Sequence, residues 1–235
     1  MIRFRSYGSS SLGNFYTVDD GQTKLMIEAG IRFKEIQKAV KFRFSDFAGC
    51  LLTHCHGDHS KSIQEVARFG VDVYSSEATL KQLGISSHRA KFVEEKTPFV
   101  LGSWTILPFR IEHDVEDPLG FMLATSVGEK LVFATDTFYL RYKFSGITHL
   151  AIECNFSQEI LDRNVENGKI AASLRNRIMR SHMSLERLKE FLLANYLSNL
   201  QEIHLLHLSD SNSDEALFKR EIQAITGVPV YVEGR

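Results

Sequence analysis

Thr53-His54-Cys55-His56-Gly57-Asp58-His59 places three imidazoles and a carboxylate within six consecutive residues, His54 to His59. Packing does not account for such a run, because His and Asp seldom become fully buried without a partner. Histidine is the commonest protein metal ligand, and carboxylates join it in zinc sites. The spacing gives two pairs. In extended backbone His54 and His56, at i and i+2, point the same way and can grip one ion. Asp58 and His59 lie beyond a flexible Gly57, which leaves them free to turn toward another. The stretch predicts a metal site with room for two ions.

The surrounding sequence places this cluster in a loop. Phe47–Thr53 is a near-continuous apolar run, as in a buried strand. A helix is expected next, opening at Ser60, with Ile63, Val66 and Ala67 on its apolar face and Gly70 as its stop. Upstream, Ile2–Ser6, Phe15–Val18 and Lys24–Ile27 read as strands joined by hairpins. Downstream, Trp104–Phe109, Gly120–Thr125 and Lys130–Phe133 form a second β-rich stretch. The final third alternates: strands at His149–Glu153, Glu202–Leu208 and Val228–Val232, with helices after Ser184 and from Ser213. Leu185, Leu188 and Leu192 stripe one of these helices, and Phe218, Ile222 and Ile225 the other. Two β-rich stretches, each followed by helices, predict an α/β fold of two facing sheets with helices outside.

Composition narrows the functional classes. The chain of 235 residues is 43% hydrophobic and 24% charged with a formal net charge of −1, which fits one globular domain over 1–235. That charge points to no polyanionic partner by itself. No apolar run approaches the roughly 18 residues that span a bilayer, and no membrane role is expected. Three cysteines (Cys50, Cys55, Cys154) are too few for a disulfide framework and fit a reduced, cytoplasmic compartment.

Two ions need more donors than the cluster holds, and strand ends supply them. His113 follows a strand in IEHDVEDPLGF, Asp136 follows one in FATDT, and His207 ends one in LLHLSDSN. Asp136, between two threonines, suits a carboxylate shared by two cations. Other histidines read as structural: His88 in a polar turn, His149 opening a strand, and His204 facing away from His207. Cys55 points away from its flanking histidines, and Trp104 reads as core.

The order HxHxDH, then His, Asp and His, each after a strand, resembles the metallo-β-lactamase superfamily. The resemblance runs from the first strands to His207 and implies a four-layer αββα sandwich with a dinuclear site between its sheets. The site is usually zinc, although manganese or iron suits the same donors. Finer features resemble the YycJ/WalJ branch, described as DNA exonucleases: GSSSLGN at Gly8–Asn14, HDVEDPLGF at His113–Phe121, ATDT, SHMS at Ser181–Ser184 and HLSDSN. Carried over, His54, His56 and His113 hold one metal, Asp58, His59 and His207 the other, and Asp136 bridges them. The resemblance also puts Ser11, Asn14 and Asn155 on the substrate side. Departures from the branch are Glu28 in IEAG, Phe156 and Ser157 in ECNFS, and Ser181 before His182. These too are expected on the substrate side.

Two divalent ions lower the pKa of a shared water, so the expected nucleophile is a bridging hydroxide with Asp58 as its proton acceptor. This chemistry serves phosphodiesters, thioesters and lactones alike. Between Gly168 and Lys189 the basic residues Lys169, Arg175, Arg177, Arg180, Arg187 and Lys189 face only Glu186. Arginine is the preferred partner of phosphate oxygens. Arg175, Arg177 and Arg180 are therefore expected to hold a nucleic-acid backbone, with His182 on the scissile phosphate or its leaving oxygen. The reading is a phosphodiesterase or nuclease acting on DNA or RNA. A thioester or lactone hydrolase of the glyoxalase II type is the alternative.

Overall fold

The computed structural model describes residues 1–234. Its contacts sort into two compact units. Unit 1 comprises Met1–Arg110, Val115–Lys130 and, of the described residues, Gly234; unit 2 comprises Ile111–Asp114 and Leu131–Glu233.

Unit 1 carries a six-stranded sheet in sequence order: β1 (Arg3–Gly8), β2 (Phe15–Asp19), β3 (Lys24–Ile27), β4 (Phe47–Leu51), β5 (Val73–Ser75) and β6 (Ala90–Phe92). The first three strands are antiparallel, and from β3 onward the pairing is parallel. Parallel strands need crossovers, and helices supply them. These are α1 (Phe33–Ala39), α2 (Gly57–Ser60), α3 (Ile63–Arg68) and α4 (Glu77–Gln82). Ile36 of α1 and Ile63 and Val66 of α3 are buried together with Phe15, Met26, Cys50 and Val73 from the strands. An antiparallel run, β7 (Phe99–Leu101), β8 (Trp104–Arg110) and β9 (Leu119–Ala124), completes the unit. Trp104 is fully buried and donates its indole N–H to the Thr23 carbonyl, as expected of a core residue.

Unit 2 carries β10 (Lys130–Ala134, whose first residue falls in unit 1), β11 (His149–Glu153), β12 (Glu202–Leu206) and β13 (Val230–Val232), paired in parallel. Its helices are α5 (Gln158–Glu166), α6 (Ala172–Ser181), α7 (Leu185–Ala194) and α8 (Glu215–Thr226). The predicted stripes are buried on α7 (Leu185, Leu188, Leu192) and on α8 (Phe218, Ile222). Ser184 caps α7 by accepting from the Arg187 N–H.

Strand positions agree closely with the sequence. The helix expected from Ser60 to Gly70 is instead two short helices, because the Ser62 N–H and hydroxyl are engaged by the carbonyls of Ala29 and Ile31. Gly70 does end α3, in the left-handed region at φ 95°. Among the described residues no helix is long and apolar enough to cross a membrane.

Candidate metal centre

In both units the functional candidates follow the C-terminal ends of parallel strands, where open α/β sheets place their ligands. Glu28 follows β3, Thr53–His59 follow β4, Asp136 follows β10, Glu153 ends β11 and His207 follows β12.

In unit 1 the Thr53–His59 loop is clamped from below. The Ala29 N–H donates to the His59 carbonyl (2.7 Å) and the Asn14 N–H to the Asp58 carbonyl (2.7 Å). A Cβ on Gly30 would lie 1.6 Å from the Asp58 carbonyl oxygen, so only glycine permits this approach. His54 Nε2 and His56 Nδ1 converge to 3.1 Å, and His59 Nε2 lies 3.4 Å from Asp58 Oδ2. Donors about 2.0–2.1 Å from a tetrahedral zinc ion stand roughly 3.3 Å apart, so both spacings fit such an ion. The turn between the pairs does not depend on Gly57. His56 is extended (φ −58°, ψ 147°) and α2 begins directly after it, while a Cβ on Gly57 would meet nothing within 4 Å.

Behind these ligands lies a support that the sequence reading misplaced. The Thr53 hydroxyl donates to Glu28 Oε1 (2.6 Å) and meets His54 Nδ1 (2.9 Å), while Glu28 Oε1 also lies 3.4 Å from His59 Nδ1. Glu28 is fully buried. It therefore lies behind the His54 and His59 imidazoles, where a carboxylate can orient candidate metal ligands, and it is not exposed to a substrate, contrary to expectation. Burial pushes its carboxyl up, against the pull of His59 and Thr53. Phe156 and Ser157 are also buried, and Ser181, though buried, lines a cleft with Arg177 and Arg180.

In unit 2 Asp136, Glu153, His182 and His207 offer four donor atoms within 4.8 Å of one another. His113 Nε2 stands 3.8 Å from Asp136 Oδ2, and His207 Nδ1 3.4 Å from Asp136 Oδ1. Glu153, to which the sequence reading gave no role, is the hub. Its Oε1 meets His182 Nδ1 (2.6 Å) and His207 Nδ1 (3.2 Å), and its Oε2 accepts from the N–H groups of Thr137 and Met183. Burial would raise the Glu153 carboxyl, but the His182 charge and the hydrogen bonds of His182 and His207 bring it below the usual range. Burial would lower His182, and Glu153 outweighs it to hold the imidazole above its ordinary value. The imidazole and carboxylate donors of both units suit a divalent metal ion.

Backbone strain marks the same residues. Glu28 (φ 64°), Asp136 (φ 49°) and His207 (φ 55°) are all left-handed, at about 1–2 kcal/mol each. Asn155 Nδ2 donates to the His207 carbonyl (2.7 Å) and supports that conformation.

The substrate-side candidates divide. Ser11 is exposed. Asn14 is fully buried, donating to the carbonyls of Ser10 and Asp58 and standing 3.1 Å from His59 Nε2. Asn14 and Asn155 are thus both buried, Asn14 against His59 and Asn155 against the His207 backbone. Arg175 is paired with Asp162 at 2.5 Å, and Arg187 donates to the Phe138 and Met179 carbonyls. Arg177 and Arg180 are exposed and line a cleft of about 380 Å³ with Asp114, Ser173, Asn176 and Ser181. His204 is engaged by Glu202 and Glu233, and His149 by Thr148, as structural histidines should be.

The metallo-β-lactamase fold protein YhfI from Bacillus subtilis superposes with a TM-score of 0.74 over 100% of this chain and 98% of its own, at 16% identity. The chain has the metallo-β-lactamase fold. In sequence this metallo-β-lactamase-fold chain is 28% identical to exodeoxyribonuclease WalJ of Streptococcus pneumoniae, over 92% of this chain and 85% of the relative. It is 26% identical to exodeoxyribonuclease YycJ of Bacillus anthracis, over 95% and 89%. No protein-family model matches the sequence.

Proposed function

We propose that the protein is a metal-dependent phosphodiesterase of the nuclease type, acting on DNA or RNA in the cytoplasm, with residues 1–235 serving as one metallo-β-lactamase-like domain. The observation that carries this reading is the likeness, along nearly the whole chain, to two exodeoxyribonucleases. The geometry within unit 2 supports it. His182 is held on Nδ1 by a buried carboxylate, and this leaves Nε2 as the atom able to donate a proton.

In this reading His54, His56 and His113 would hold one ion, Asp58, His59 and His207 a second, and Asp136 would serve both; zinc suits the donors, and manganese or iron also fits. Two such ions supply Lewis acidity and an acidified water to a hydrolytic site. The chain's own residues do the rest. Asp58, its Oδ2 3.5 Å from the Asn14 amide, orients the attacking water and accepts its proton. His182 Nε2 protonates the leaving oxygen, and Glu153 favours the protonated form of that imidazole. Arg177 and Arg180 hold the nucleic-acid backbone, while Arg175, paired with Asp162, contributes less. Ser11 contacts the substrate, with Asn14 and Asn155 acting through the ligands they position. The three buried free thiols, Cys50, Cys55 and Cys154, suit a reducing compartment.

The test compares hydrolysis of bis-p-nitrophenyl phosphate and of a glutathione thioester, each with and without chelator. Chelator-sensitive phosphodiester turnover supports the reading. Thioester turnover without phosphodiester turnover replaces it with a glyoxalase II type of activity.

A further inference from the structure

Unit 1 contains a second basic surface, at the β1 edge of the six-stranded sheet. A groove of about 470 Å³ runs between β1 and the turn after α1. Arg3, Arg5, Lys24, Lys41 and Arg43 line it against Asp19 and Asp46, in a chain whose overall charge is −1. The acids are occupied: Asp19 pairs with Arg3 (2.9 Å), and Asp46 with Arg43 (2.7 Å) and Lys24 (3.6 Å). Arg5 and Lys41 are exposed and have no acidic partner among the described residues.

Two local features give this groove a shape beyond scattered surface charge. Lys41 and Phe42 are consecutive non-glycine residues in the left-handed region (φ 52° and 59°), a conformation of about 1–2 kcal/mol each. Phe42 is also 69% exposed, so no burial of its ring offsets that strain. On the opposite wall the β1 register slips between Ser6 and Gly8, which puts Tyr7 at a bulge; Tyr7 lines the groove beyond Arg3 and Arg5, its ring packed 5.6 Å from that of Phe15 yet 38% of the residue exposed. Arg3 and Arg5, at i and i+2 ahead of the bulge, stand about 6.7 Å apart along the strand. Arg3, Arg5 and Tyr7 thus form a row of two cations and an aromatic ring. The row runs toward the metal loop: Ser6 pairs with Tyr16, whose hydroxyl donates to Asn14, which donates to the Asp58 carbonyl.

We propose that this groove is an accessory site for a single nucleic-acid strand, with Arg5 and Lys41 on backbone phosphates and a base stacked on Tyr7. Cations that follow a backbone beside an aromatic platform are how proteins bind single strands without reading sequence. The proposal rests on the nuclease reading for its biological sense but not for its test. It predicts that the protein prefers a polynucleotide to a dinucleotide.

Two independent measurements decide. The first is fluorescence anisotropy of a labelled 20-residue oligo-dT with the full chain at several salt concentrations. R5E/K41E should weaken binding at least tenfold and lower the salt slope by about 1.4, from roughly 0.7 per lost phosphate contact on a single strand. Y7A should weaken it about fivefold or more. The milder R5Q/K41Q pair should follow in the same direction. The second is turnover of bis-p-nitrophenyl phosphate, which should stay within twofold in every variant and reports that each is folded. Wild-type-like oligonucleotide affinity in R5E/K41E overturns the groove, even if the enzyme is a nuclease. Groove-dependent binding by a protein that turns over only thioesters overturns the nuclease reading and leaves the groove standing. Binding that depends on Arg5 and Lys41 but is unchanged in Y7A overturns the stacked base and makes the groove a general polyanion site.

Discussion

Glu153 Oε1 lies 2.6 Å from Nδ1 of His182, so a fully buried carboxylate at the end of β11 fixes the ring just ahead of α7. If that ring is the proton donor, H182A lowers kcat on DNA by about 10² to 10⁴, the usual contribution of general acid catalysis. Metal content should not change. E153A should lower kcat with it, and H182A/E153A should be little worse than either alone, since the two residues act as a unit. Additive losses would mean that Glu153 acts elsewhere, for instance through His207.

Thr53 tests the support of the other ligand set. T53V keeps the shape but removes the hydroxyl that joins Glu28 to His54. Such partners typically govern metal affinity by 10- to 100-fold. Competition with a fluorescent zinc indicator should show a loss in that range, with kcat of the fully loaded protein near wild type.

Gly30 is fixed by space alone. In G30A the new methyl would overlap the Asp58 carbonyl, and either the loop moves or the variant fails to fold. A loss of about 3 kcal/mol or more in urea unfolding is expected, at the upper end of overpacking effects.

Asp20 gives a pH signature away from any metal ligand. Burial would raise its pKa, but the Ser103 hydroxyl and the Thr23 and Gln22 N–H groups outweigh it and hold the carboxyl below its ordinary 3.8. A carboxylate lowered in the folded state stabilises above its unfolded pKa and loses that contribution as pH falls through the folded value. D20N should therefore be less stable than wild type near neutral pH, with the gap closing below about pH 4 in parallel unfolding curves. A gap that does not change with pH would contradict the assignment.

The parts of the candidate site that share a short stretch were legible in the sequence as potential metal donors. His54, His56, Asp58 and His59 declare themselves because no packing rule explains them together, and His113, Asp136 and His207 each follow a readable strand. Glu153 was not legible: a Glu ending an apolar strand looks ordinary until His182, 29 residues later, folds onto it. The same holds for Glu28, whose partners Thr53 and His59 arrive from the next strand. Among the arginines, sequence shows charge but not its neighbours, and Asp162 is what separates Arg175 from Arg177 and Arg180. Left-handed backbone at Asp136 and His207 has no sequence signal, since neither residue is glycine.

The central claim is tested most directly by incubating the zinc- or manganese-loaded protein with end-labelled single-stranded DNA, with and without chelator, beside D58A. Progressive shortening of the DNA that chelator abolishes and D58A lacks is the predicted result. Intact DNA under conditions where the same preparation hydrolyses a thioester would contradict it.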